Sequence, residues 1–202
     1  MKFLTLILLC FLSGCVKTVT DNDTRLISKL VNRRFNTFYH FGETNEWVAI
    51  DSIETSKLNN HLKHMHQFEL EEHQTIDSLS DSKQLIQIKI ALHSFISDYY
   101  RLFYLEFGLI QSVFPLNCII NKQKSGNRDS LLLVSVRQLN EYDSLVINLK
   151  KYANDFNVAS NRLGLKDSIK YDLPAEINRR YIITSYFWNI SQKTKDCLLS
   201  QE

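Results

Sequence analysis

Four histidines fall close together in this chain. His61, His64, His66 and His73 are interleaved with Glu69, Glu71 and Glu72. His66, Glu69 and His73 are spaced three and four residues apart, which puts them on one face of a helix. Two imidazoles and a carboxylate so arranged are a donor set for zinc or copper. The same residues also make an ordinary solvated helix face, with Glu69 and His73 as a neighbouring pair. Gln74 follows His73, so HExxH is missing, and none of the six histidines has a glutamate three residues before it. That removes the Glu-x-x-His pattern of ferritin-like di-iron bundles.

Other chemistry is excluded more simply. Nucleophile elbows, phosphate-binding loops and dinucleotide fingerprints need clustered glycines, and the glycines Gly14, Gly42, Gly108, Gly126 and Gly164 are scattered. CxxCH for covalent haem is missing. The expectation is a body without catalytic activity and without a cofactor. Phe95, Tyr99, Tyr100, Phe103, Tyr104 and Phe107 recur at helical spacing and read as core, with Tyr100 and Tyr104 as rings that fall off the core face and offer a partner surface.

The cysteines divide by position. Cys10 lies in a run, Phe3 to Leu12, that is apolar except at Thr5 and follows Lys2. A helix of about ten residues rises roughly 15 Å, half of a roughly 30 Å hydrocarbon core, so this run suits the apolar centre of a signal peptide rather than a permanent span. Leu12-Ser13-Gly14-Cys15 follows at once. This stretch resembles the signal peptides of bacterial lipoproteins, whose lipobox reads Leu, a small or polar residue, Gly or Ala, then Cys. The resemblance covers residues 1–15. It implies that Cys15 receives a thioether-linked diacylglycerol and that cleavage before it releases residues 1–14. Several acyl chains on one residue hold a protein in a bilayer where one holds it only reversibly. Val16, where an Asp would mark inner-membrane retention in enteric bacteria, implies the periplasmic face of the outer membrane. Cys118 and Cys197 remain, and in an oxidising compartment they are a disulfide candidate.

The elements that would position these residues are helices. Leu26, Ile27, Leu30, Val31, Phe35, Phe38 and Tyr39 predict a first helix over about 23–41, closed by Gly42, after a tether over 15–22. A second, over about 52–79, carries the histidines and only a thin apolar face: Ile53, Leu58, Leu62, Met65, Phe68, Ile76 and Leu79. A third, over about 81–113, is apolar nearly all round and should lie at the centre. A fourth, from Asp129 to Gly164, carries Leu132, Val136, Leu139, Tyr142, Val146, Leu149, Ala153, Phe156 and Leu163 at close to heptad spacing. Pro174 opens a fifth, with Ile177, Tyr181, Ile183, Phe187, Ile190 and Leu198.

The expected fold is all-α: a single domain over 23–202, an up-and-down bundle of four to five antiparallel helices. In that topology the third and fifth helices end at the same pole, which brings Cys118 and Cys197 within reach of each other. Over the 202 residues, 24 basic side chains stand against 22 acidic ones. That balance gives no basic surface for nucleic acid. The expected function is a membrane-anchored binding or scaffold module with a protein partner. The alternative is a small-ligand or metal-binding bundle using His66, Glu69 and His73.

Overall fold

The structure, a computed structural model, describes residues 19–42, 55–113 and 125–174. Four helices follow one another there: α1 (Asp21–Gly42), α2 (Thr55–Asp77), α3 (Ile86–Val113) and α4 (Ser125–Arg162). The described residues contain no strand. The all-α bundle expected from the hydrophobic pattern is the fold observed. Cys15, Cys118, Cys197 and most of the expected fifth helix lie outside the described residues.

α3 is central. Its most extensive interface is with α4 and its second is with α2. Contacts fix the direction of the α2–α3 pair: Asp77 meets His93, while Glu69 meets Tyr104. Residue numbers rise along one helix as they fall along the other, so the two are antiparallel. α4 runs antiparallel to α3 as well, because Arg101 pairs with Glu141 and Phe95 meets Tyr171, beyond the end of α4.

The heptad seam read on α4 is the face that α4 buries. Tyr142, Val146, Leu149, Ala153 and Phe156 are buried in one core with Leu92, Phe95, Ile96, Tyr100 and Phe103 of α3, and Leu139 is buried as well. Tyr100 therefore belongs to the core and not to a partner surface. Ile27, Leu30 and Val31 close the core from α1, and Met65 and Ile76 from α2. Removing one such side chain, as in Leu→Ala, costs about 2–5 kcal/mol in a packed core.

Helix ends depart from the sequence reading where a side chain supplies a cap. α1 begins two residues before Asp23, because Thr20 caps it. The Thr20 hydroxyl accepts the Asp23 N–H (3.1 Å), and the Asp23 carboxylate accepts the Thr20 N–H (2.9 Å). This is a capping box with Asp in the returning position. α3 begins at Ile86 rather than near Asp81, because the intervening serines bond locally. The Ser78 hydroxyl donates to the Thr75 carbonyl (2.7 Å), and the Ser82 hydroxyl accepts the Gln84 N–H (3.2 Å). Such bonds offer the backbone an alternative to helix. α4 begins at Ser125, with Gly126 in its first turn, four residues before the expected Asp129.

α4 ends as expected at Gly164, whose φ of 68° lies in the left-handed region. The N–H of Leu165 bonds the Ser160 carbonyl and that of Gly164 bonds the Asn161 carbonyl, the two bonds of a Schellman motif. The connector then folds back onto α4. The Asn157 side chain brackets Ile169, donating to its carbonyl (2.9 Å) and accepting its N–H (2.8 Å). Leu173 and Pro174, the last described residues, are helical.

One bond set joins elements distant in sequence. Asp23 also accepts the Ser80 N–H (2.8 Å) and the Ser80 hydroxyl (2.8 Å). Its side chain thus fastens the start of α1 to the corner between α2 and α3, and only 1% of the residue is exposed. Burial would raise its pKa. The backbone bonds from Ser80 and Thr20, with the two hydroxyls, outweigh that and lower it from 3.8 to about 2.

A carboxyl whose pKa is depressed on folding stabilises the fold above its unfolded pKa, and that stability is lost as pH falls through the folded value. The Asp23 contribution is therefore complete near neutrality and disappears as pH drops from about 5 toward 2. Asp23→Asn is expected to lower stability by about 2 kcal/mol at pH 7. Urea denaturation of both proteins at stepped pH checks this: the gap between them should narrow in acid.

Candidate functional site

The polar residues of α2 and α3 meet along one seam. On α2, Glu69, His73 and Asp77 are four residues apart and share a face. On α3, the polar residues Lys89, His93, Ser97 and Arg101 also step by four through a helix rich in apolar residues. Four residues advance about 400° around a helix, so the α3 stripe drifts by about 40° per step. The drift explains the change of partner along the stripe. Lys89 pairs with Asp81 in the corner (3.1 Å), His93 and Ser97 face α2, and Arg101 reaches Glu141 on α4.

At the centre, His73 Nδ1 and His93 Nδ1 lie 2.7 Å apart. The rings are nearly parallel, 13° between planes and 5.0 Å between centroids. His93 Nε2 lies 3.1 Å from Asp77 Oδ1, and His73 Nε2 lies 3.3 Å from Ser97 Oγ. These contacts assign the tautomers of the neutral rings. An ionised carboxylate only accepts, so His93 carries its proton on Nε2. Its Nδ1 is then an acceptor, and His73 must donate from Nδ1. His73 Nε2 is left to accept the Ser97 hydroxyl. Every donor in the row Ser97, His73, His93, Asp77 has an acceptor.

Serine, histidine and aspartate in a row suggest a nucleophile, but the surroundings do not supply the rest of that chemistry. Ser97 lies inside α3, where the backbone N–H groups belong to the helix ladder and are not aimed at a developing oxyanion.

One helical turn further from the corner, the Tyr104 hydroxyl donates to Glu69 Oε2 (3.0 Å). Burial, the Glu69 charge and the hydrogen bond itself all push the Tyr104 hydroxyl pKa up, which keeps it protonated as a donor.

Of the residues singled out as metal ligands, His66 is exposed, with Nδ1 3.6 Å from Glu69 Oε2. Glu69 serves Tyr104, and His73 lies across from His93. Among the described residues, no group of three or more His, Cys, Asp or Glu side chains is placed to hold a metal ion. His93 is the functional residue that sequence reasoning missed. The available signal was the four-residue polar stripe on an apolar helix, which marks the line where α3 meets something polar.

No protein-family model, curated protein or solved structure matches this chain.

Long-range proton–nitrogen correlation spectra at neutral pH should show His73 as the Nδ1–H tautomer and His93 as the Nε2–H tautomer. Finding both rings protonated on Nε2 would contradict the assignment. In a double-mutant cycle with His73→Ala and His93→Ala, the two are expected to couple by about 1 kcal/mol.

Proposed function

We propose that this protein is a lipid-anchored module of the bacterial cell envelope whose helical body binds or scaffolds a protein partner without catalysing a reaction. The carrying observation is the stretch Leu12-Ser13-Gly14-Cys15 standing directly ahead of a helical bundle. Five residues, 16–20, separate the anchoring cysteine from the body of α1. At no more than about 3.6 Å per residue they reach roughly 18 Å, so the bundle is held close to the bilayer. Among the described residues no helix is long and apolar enough to cross a membrane. Val16 favours the periplasmic face of the outer membrane.

Binding rather than catalysis is supported by the surface of α4. Leu133 and Ile147 are 73% and 69% exposed, and Val158 is also exposed. At 100° per residue all three fall within about 40° of one another, opposite the seam that α4 buries. Apolar side chains gathered on an outer face are a feature of surfaces that meet other proteins.

Cys15→Ser is expected to abolish incorporation of labelled fatty acid and to move the protein from the membrane fraction to the soluble one. A Cys15→Ser protein that stays membrane-bound would reject the anchor. Crosslinking in native membranes should recover a partner. Elemental analysis of untagged protein should find no stoichiometric metal; a bound metal lost on His66→Ala would replace the scaffold reading with a metal-binding one.

A further inference from the structure

We infer that the corner between α2 and α3, together with the first two turns of α3, forms a second membrane contact in which Ile86 and Ile90 rest in the interfacial layer of the lipid. The inference rests on the lipid anchor at Cys15 and adds how the body sits on the bilayer.

The argument begins with what the anchor can reach. The chain before Val19 carries Cys15, and the tether ends at Thr20, the cap of α1. Through Asp23, the same cap is bonded to Ser80 in the corner. The end of the tether and the corner are therefore bonded to each other, and whatever draws Cys15 to a bilayer draws residues 78–90 within the tether's reach of it.

That corner exposes large apolar side chains. Ile86 and Ile90 are 47% and 55% exposed, one turn apart at the very start of α3. Around them lie Lys83 and Gln87, both exposed, and Lys89, which Asp81 holds. An apolar pair with a lysine beside it at a helix start is the pattern of a shallow interfacial contact, with the ammonium among the head groups and the aliphatic chains below them. Two isoleucines would not recruit a protein from solution. Held near the bilayer by an acylated cysteine five residues before Thr20, which Asp23 joins to the corner, they meet the lipid at high effective concentration, and the contact becomes intramolecular.

The occupant is lipid rather than a second protein because of this position. A partner binding Ile86 and Ile90 would have to enter the narrow space that a tether of about 18 Å leaves between bundle and bilayer. The exposed apolar face of α4 has no such restriction.

The test uses the acylated full-length protein in vesicles of phosphatidylethanolamine and phosphatidylglycerol, doped with a phospholipid bearing a diazirine on its acyl chain. Intact-mass measurement of the same sample reports acylation of Cys15. After irradiation, adducts should concentrate on the peptide containing Ile86 and Ile90 and be absent around Glu141 and Ile147. The variant I86S/I90S, altered only at exposed positions and checked by circular dichroism, should lose adducts on that peptide about tenfold. Leu133→Ser with Ile147→Ser should leave them unchanged.

Acylated, membrane-bound protein with adducts spread evenly, or concentrated elsewhere, would overturn the contact and leave the anchor standing. Protein that proves unacylated would overturn both. Burial of Ile86 and Ile90 by self-association, seen as concentration-dependent dimer with no lipid adducts, would also overturn the contact.

Discussion

A buried carboxylate must find hydrogen-bond donors or lose its charge, and Asp23 finds four. Two come from Thr20, at the start of the same helix, and two from Ser80, across the bundle. That one requirement decides several things together. It caps the first helix at Thr20, starts α1 at Asp21, and holds the corner between α2 and α3 against it. α1 and α2 otherwise share only a small interface. Beside the buried Ile27, Leu30 and Val31, the Asp23 side chain and its ionisation thus supply the polar fastening that holds the start of α1 to the corner.

The second constraint is the composition of α3. A helix apolar nearly all round needs neighbours on most sides, and α2 and α4 supply them. The four-residue polar stripe then determines where the neighbours meet. Because it winds by about 40° per step, it carries one line of contact from the corner, past α2, to α4. The histidine pair sits where that line crosses the face of α2. Its hydrogen bonds, from Ser97 through both rings to Asp77, make it a clamp between two helices. The proposed anchor, the Asp23 fastening and the clamp all lie toward the same pole of the bundle.

Much of this architecture was legible in the sequence. The seam of α4 from Leu139 to Phe156, the stop at Gly164 and the central place of α3 follow from hydrophobic spacing and from one glycine. What was not legible depended on pairs distant along the chain. Asp23 reads as a helix-start residue, and nothing local announces Ser80 as its partner. His73 reads as a companion of His66 and Glu69, because spacing along one helix is visible and register between two helices is not. Tyr100 was placed at the surface because a helix that is apolar all round gives no moment from which to tell its sides apart. The proposed anchor rests on the opposite kind of signal, one that is entirely local: four residues in order.

Native-state hydrogen exchange at the Ser80 amide tests the central fastening most directly. Ser80 lies in a corner between helices, outside any helical ladder, and would exchange quickly if it were an ordinary loop residue. With its N–H held by Asp23, the amide should exchange about as slowly as those of buried residues in α3 such as Leu92. Rapid exchange at Ser80 while Leu92 stays protected would show that Asp23 does not hold the corner.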